Sequence, residues 1–164
     1  MLNFGFHFGA NEPVVSCDSP AGERMRNYSF SCDGLYWTTA NASATYPDDN
    51  CIVTRNGSAG RVQQLVFLQA GDYTIEVEVI DVSSTAFVLL NAPDSGSDFP
   101  IDYANAGTHT TTITAATDGM YTVGCGVNNP IGSTGTFGYL SVRAVVPLTY
   151  NGEVITYDGQ VLTY

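Results

Sequence analysis

The stretch Tyr73-Thr-Ile-Glu-Val-Glu-Val-Ile80 alternates apolar and polar side chains with a period of two. Tyr73, Ile75, Val77 and Val79 fall on one face, and Thr74, Glu76 and Glu78 on the other. This is the pattern of a strand with one buried face. Outward from it, Val62–Leu68 and Thr85–Leu90 are rich in β-branched and aromatic residues and read as further strands. The threonine run of Thr108–Thr114 suits a strand surface and disfavours a helix. In Met120–Val127, Tyr121, Val123, Cys125 and Val127 share a face, with Gly124 and Gly126 opposite, which leaves room for another backbone or a ligand. Phe137–Val146 places Leu140, Val142, Ala144 and Val146 inward, and Ser141 and Arg143 outward. Turn signals at Ala70-Gly-Asp72, Pro93-Asp-Ser-Gly96, Asp118-Gly119 and Asn128-Asn-Pro130 separate these runs. Short strands at this spacing, without a helix-period segment, predict an all-β antiparallel sandwich.

Composition agrees. Of 164 residues, 44% are hydrophobic and 13% charged, about half of the ~25% charge usual in globular chains. That length supports one core without staples, and this hydrophobicity excludes intrinsic disorder. With 16 acidic residues against five arginines and no lysine, the net charge is −11. Such a balance excludes binding to nucleic acid through phosphate neutralisation and disfavours anionic membranes. No apolar run reaches the ~18 residues of a membrane span. The start, Met1-Leu-Asn-Phe-Gly-Phe-His-Phe-Gly9, lacks the basic and apolar regions of a signal peptide.

Cys17, Cys32, Cys51 and Cys125 are irregularly spaced and contain no Cys-x-x-Cys pair, so zinc is not expected. Buried free thiols are the expectation, with a disulfide open to any pair in an oxidising medium. Asp94, Asp98 and Asp102, with loop carbonyls, offer oxygen ligands for a structural calcium, but their spacing is that of a solvated acidic loop. No other cofactor is expected. The two histidines, His7 and His109, neighbour no nucleophile motif, and Gly-x-Ser-x-Gly, phosphate-loop and His-Glu-x-x-His patterns are absent. Glu76/Glu78 read as a solvent face and Asp48-Asp49 as a turn, so no carboxylate pair is aimed at a glycosidic bond. A non-enzymatic protein is the expectation. Trp37 reads as a core anchor needing one partner for its N–H. The sequons at Asn27, Asn41 and Asn56 read as chance in an Asn- and Ser-rich chain.

The chain divides into an N-terminal arm (1–24), a body (25–146) and a C-terminal repeat (147–164). In the body, Gly34-Leu-Tyr-Trp-Thr38 precedes Leu68-Gln-Ala-Gly-Asp-Tyr-Thr-Ile-Glu-Val. Thr110-Thr-Thr-Ile-Thr114, Asp118-Gly-Met-Tyr-Thr-Val123 and Gly138-Tyr-Leu-Ser-Val-Arg143 follow. Over roughly residues 28–146 this pattern resembles the jelly roll of carbohydrate-binding modules of families 4, 9 and 22, a fold reused in tailed-bacteriophage virion proteins. The resemblance implies two sheets of four or five strands, with a sugar cleft on the concave sheet of the true binding modules. Tyr36, Tyr46, Tyr103 and Tyr139 are the candidate glycan contacts, although no clear set of paired exposed aromatics stands out.

The repeat reads Leu148-Thr-Tyr-Asn-Gly-Glu-Val154, Ile155-Thr-Tyr-Asp-Gly-Gln-Val161, Leu162-Thr-Tyr164. Asn-Gly and Asp-Gly favour type I′ turns, and a short three-stranded β-meander is the expected result. Too small to fold alone, it needs a surface to lie on. The repeat resembles C-terminal segments of the Leu-Thr-Tyr-Asn-Gly type in phage structural proteins. In the arm, Leu2, Phe4, Phe6 and Phe8 form one apolar face. These four and Leu148, Tyr150, Ile155, Tyr157, Leu162 and Tyr164 are the expected contacts to other subunits or to a shell. The resulting expectation is a phage virion protein on the outer surface of the particle. It would decorate or cement the capsid, binding the major capsid protein or another virion protein and its own copies as a trimer. The alternative is a glycan-recognising head or tail fibre module.

Overall fold

The computed structural model describes residues 23–92, 101–103 and 105–146, together with the backbone of four short strands at 149–150, 153–154, 156–157 and 160–161. One sheet has the order β1 (Thr38–Ala40), β4 (Gly60–Leu68), β9 (Gly119–Val127), β6 (Ala86–Asn91), β7 (Ile101–Tyr103). The other has the order β2 (Ala42–Thr45), β3 (Cys51–Arg55), β10 (Thr134–Ala144), β5 (Gly71–Val82), β8 (Gly107–Ala115). All neighbours within both sheets are antiparallel. The chain passes back and forth between the sheets, which is the winding of a jelly-roll sandwich.

The expected alternation of β5 is realised: Tyr73, Ile75, Val77 and Val79 are buried. Each such side chain contributes roughly 1.5–3 kcal/mol on burial. Val62, Val66 and Leu68 of β4, Tyr121, Val123, Cys125 and Val127 of β9, and Phe137, Leu140 and Val142 of β10 complete the inter-sheet core. Gly124 and Gly126 do admit a close neighbour, and it is the backbone of β4. A Cβ on Gly126 would run into the Gly60 carbonyl oxygen and stand 2.7 Å from Arg61 Cβ. In β6, Phe87 and Leu89 are buried along with Ala86, Val88 and Leu90, so both faces of this strand are covered.

The structure departs from the sequence expectation at four places. Strand β10 ends at Ala144, and Val146 is exposed rather than inward. Ser141, on the outward phase, is buried because the Glu23 carboxylate folds over it and accepts its hydroxyl hydrogen bond. Cys51 and Cys125 are buried free thiols, but Cys32 is disulfide-bonded; it sits in a turn, half-buried, rather than on an inward strand face.

The fourth departure is the repeat. In place of one meander there are two separate hairpins, β11 (Thr149–Tyr150) with β12 (Glu153–Val154) and β13 (Thr156–Tyr157) with β14 (Gln160–Val161). The pleat explains it. Residues flanking a two-residue turn point their N–H and C=O at the partner strand. Glu153 and Tyr157 each flank such a turn, and they are four positions apart. In one continuous strand both would face the same edge, which can take only one partner.

Candidate functional site

The site begins with a segment that belongs to neither sheet. Strand β3 accompanies β10 only as far as Phe137. Beyond it the chain from Glu23 to Tyr28 lies along β10, with Arg24 N–H donating to the Val142 carbonyl and Leu140 N–H to that of Tyr28 (both 2.9 Å). The buried Glu23 carboxylate accepts from the N–H groups of Arg24, Met25 and Val142, each at 2.8 Å, and pairs with Arg143 at 3.6 Å. Met25 is driven fully into the core, so its neighbours Arg24 and Arg26 point outward and are exposed. Gln64 clamps Arg26 from the other sheet: its Oε1 accepts the Arg26 N–H and its Nε2 donates to the Arg26 carbonyl. Gln64 occupies the inward phase of β4 between Val62 and Val66 and is itself buried. A buried amide must find partners, and here the partner is one residue's own peptide groups.

A tight loop follows, built around Asn27, which is 2% exposed. Its side chain donates to the carbonyls of Asp33 (2.9 Å) and Leu35 (3.2 Å) and accepts from Cys32 N–H (3.0 Å). Its carbonyl accepts from the Trp37 indole N–H at 3.0 Å. Asn27, Phe30, Asp33 and Tyr36 all have positive φ, at 46°, 57°, 51° and 70°. For bulky Phe30 and Tyr36 this conformation costs roughly 1–2 kcal/mol each. It is held because Phe30 is buried against Trp37 (ring centroids 4.8 Å apart) and Tyr46 (6.1 Å). The loop thereby turns Tyr36 outward beside β4.

These elements enclose a groove of about 640 Å³ on the outer face of the β1/β4/β9 sheet, lined by residues that include Arg24, Arg26, Tyr36, Gln63, Phe67 and Met120. Its floor is apolar and open: Leu65 is 66% exposed, Phe67 55% and Met120 46%, and Phe67 lies directly opposite Met120 in the β4/β9 register. Tyr36 forms a wall and is 43% exposed, with the Arg26 guanidinium 5.2 Å above its ring centre. Thr38, Gln63 and Thr122 add polar groups. The volume falls within the ~300–1,000 Å³ of small-molecule sites. An exposed apolar cluster rimmed by polar groups marks an interaction surface.

Of the sequence candidates for glycan contact, the structure brings Tyr36 alone to this groove. Tyr46 is half-buried in hydrogen-bond contact with Cys51, and burial pushes the Cys51 thiol up to about 12. Tyr103 stacks on His109, with ring centroids 4.1 Å apart. Tyr139 stands on the outer face of the other sheet and donates to Glu76 Oε1 at 2.7 Å. Trp37 is buried, in the core-anchor role the sequence suggested, with its N–H satisfied. Asp102 accepts from Asn128 Nδ2 at 2.9 Å, while Asp94 and Asp98 lie outside the described residues. Leu2, Phe4, Phe6, Phe8, Leu148, Ile155, Leu162 and Tyr164 also lie outside them, and Tyr150 and Tyr157 are described only as strand backbone.

Sequence reasoning missed Arg24, Arg26, Gln64, Leu65, Phe67 and Met120. The available signal was a glutamine in the inward phase of β4 and two large apolar residues, Leu65 and Phe67, in its outward phase.

The sandwich is similar in fold to solved structures. TmCBM61, solved in complex with β-1,4-galactotriose, superimposes with a TM-score of 0.55 at 12% identity, over 74% of this chain and 98% of that one. A CBM4 structure gives a TM-score of 0.50 at 16% identity, over 68% of this chain and 82% of that one. No family model and no curated protein matches the sequence. The protein is therefore a β-sandwich with the jelly-roll fold of carbohydrate-binding modules. A shared fold does not by itself carry a shared ligand.

Proposed function

We propose that this chain is a non-enzymatic glycan-recognition module whose binding site is the groove on β4 and β9. The observation that carries the reading is the pairing of two exposed aromatic rings, Tyr36 and Phe67, with hydrogen-bonding side chains on a rigid sheet. A pyranose has an apolar face of C–H groups and a rim of hydroxyls. The first suits an aromatic ring and the second needs donors and acceptors such as Gln63, Thr38 and Thr122. The jelly-roll fold is compatible with this use. Calorimetric titration with a panel of soluble oligosaccharides tests it. Phe67→Ala and Tyr36→Ala should each weaken binding about tenfold or more, as truncated central aromatics do. Thr110→Ala, on the outer face of the opposite sheet, should leave binding unchanged. Groove variants that bind as well as the parent would refute the assignment.

A second reading concerns where the module works. Among the described residues, the two C-terminal hairpins form sheets of their own, paired with neither sheet of the sandwich, and two-stranded sheets this short need a partner surface. This favours attachment to other subunits, in keeping with a virion surface protein that holds the capsid or another virion protein and its own copies, as a trimer. Removing residues 148–164 should leave a folded sandwich by circular dichroism but abolish trimerisation or particle binding. Normal assembly of the truncated chain would reduce the hairpins to an intramolecular cover.

A further inference from the structure

We propose that the groove takes an acidic oligosaccharide, whose carboxylates are held by Arg24 and Arg26. This rests on the groove being a glycan site and adds the charge of the sugar. The chain has 16 acidic residues and five arginines, so an average patch of its surface is negative. The groove is the reverse: its described lining contains two arginines and neither aspartate nor glutamate.

The other three arginines are occupied. Arg55 is buried and donates to the Ser58 carbonyl (3.1 Å) and Asn129 Oδ1 (2.7 Å). Arg61 donates to Gln63 Oε1 at 2.6 Å, and Arg143 pairs with Glu23. Among the described residues, neither Arg24 nor Arg26 pairs with a carboxylate; the ion pair found there is Arg143 with Glu23. Among the described residues, a chain so rich in carboxylates thus sets none against its two groove cations, and their charge faces the groove.

Their placement is also built. Met25 locks the segment into the core, Glu23 binds back to the N–H groups of Arg24 and Met25, and Gln64 grips both peptide groups of Arg26. The backbone carrying both side chains is thus ordered before any ligand arrives, which lowers the entropy lost on binding. The Arg26 guanidinium, 5.2 Å from the centre of the Tyr36 ring, sets a planar fork beside an aromatic side chain. That combination suits a sugar whose ring lies on an aromatic and whose carboxylate is gripped through two parallel N–H bonds. Charges farther off are screened beyond about 8 Å at physiological salt, so the nearby arginines set the preference.

The test is calorimetric titration of the full chain, in about 0.15 M salt, with uronate oligosaccharides, the same oligomers after carboxyl reduction, and sulfated oligomers of matched length. The uronate should bind several-fold more tightly than its reduced form, the gain expected of two partly exposed charge-assisted contacts. Arg26→Gln and Arg24→Gln should each weaken binding of the uronate by a larger factor than binding of the reduced oligomer, so that the preference shrinks. Phe67→Ala should weaken both. Equal affinity for the two forms overturns the proposal and leaves the glycan site standing. Binding of the sulfated oligomers alone overturns the assignment to carboxylates. Failure of every oligosaccharide, charged or neutral, overturns the glycan reading itself.

Discussion

Replacing Asn27 by alanine removes the hub of the loop that carries Tyr36, and its cost follows from the structure. Three side-chain hydrogen bonds are lost, at about 1 kcal/mol net each. Alanine must also hold the φ of 46°, which asparagine tolerates and alanine resists by about 1 kcal/mol. The sum is about 4 kcal/mol, equivalent to a fall in Tm of about 8–16 °C for a domain this size. Trp37 is the single tryptophan and donates to the carbonyl of residue 27 itself, so its fluorescence reports the loop and global unfolding together. Urea unfolding of the oxidised protein, followed at Trp37, measures the loss. Asn27→Gly separates the terms, because glycine relieves the backbone cost but not the lost bonds; it should fall short of wild type by about 3 kcal/mol. An Asn27→Ala variant within about 1 kcal/mol of wild type would refute the reasoning, since that is the value of one bond alone. At temperatures where the variant stays folded, glycan affinity should still drop, because Tyr36 loses its support.

The close approach of β4 and β9 predicts that Gly126→Ala costs about 2 kcal/mol or more, as overpacking against backbone does. Gly138→Ala, whose new Cβ meets first the movable Glu78 side chain, should cost under about 1 kcal/mol; equal losses in urea unfolding would contradict this. The raised thiol of Cys51, at about 12 against an ordinary 9.0, gives a sign to the pH dependence. Between those values the unfolded chain releases the proton and the folded chain keeps it, so stability falls as pH rises above about 9. Burial also raises Cys125, Tyr46, Tyr103 and Tyr139, all in the same direction. Urea midpoints that stay flat from pH 8 to 11 would exclude the effect. For the same reason Cys51 and Cys125 should resist alkylation at about pH 8 until the protein is unfolded, because the thiolate is the reactive form; rapid labelling of the native protein would overturn that.

The sandwich was legible in the sequence because its signal is local. Period two in Tyr73–Val79 and Tyr121–Val127 is a property of consecutive residues, and each strand's buried face can be named before its partner is known. Trp37 as an anchor, and Gly124 and Gly126 as a place of close approach, were legible for the same reason. Asn-Gly and Asp-Gly marked both hairpins of the repeat, but their relation to each other depended on which edge each flanking residue faces.

The groove was a matter of tertiary structure alone. Arg26 meets Gln64 across 38 positions, and Ser141 meets Glu23 across 118; no pattern of neighbours encodes either contact. Tyr36 reaches the groove because Asn27 and Phe30 force an unfavourable loop, and Phe67 meets Met120 only through the β4/β9 register. Sequence by itself determined which residues could be buried, because solvent acts on each strand through its own alternation. Which of the remaining outward residues would share a site was decided by how two distant strands and one crossing segment came to lie side by side.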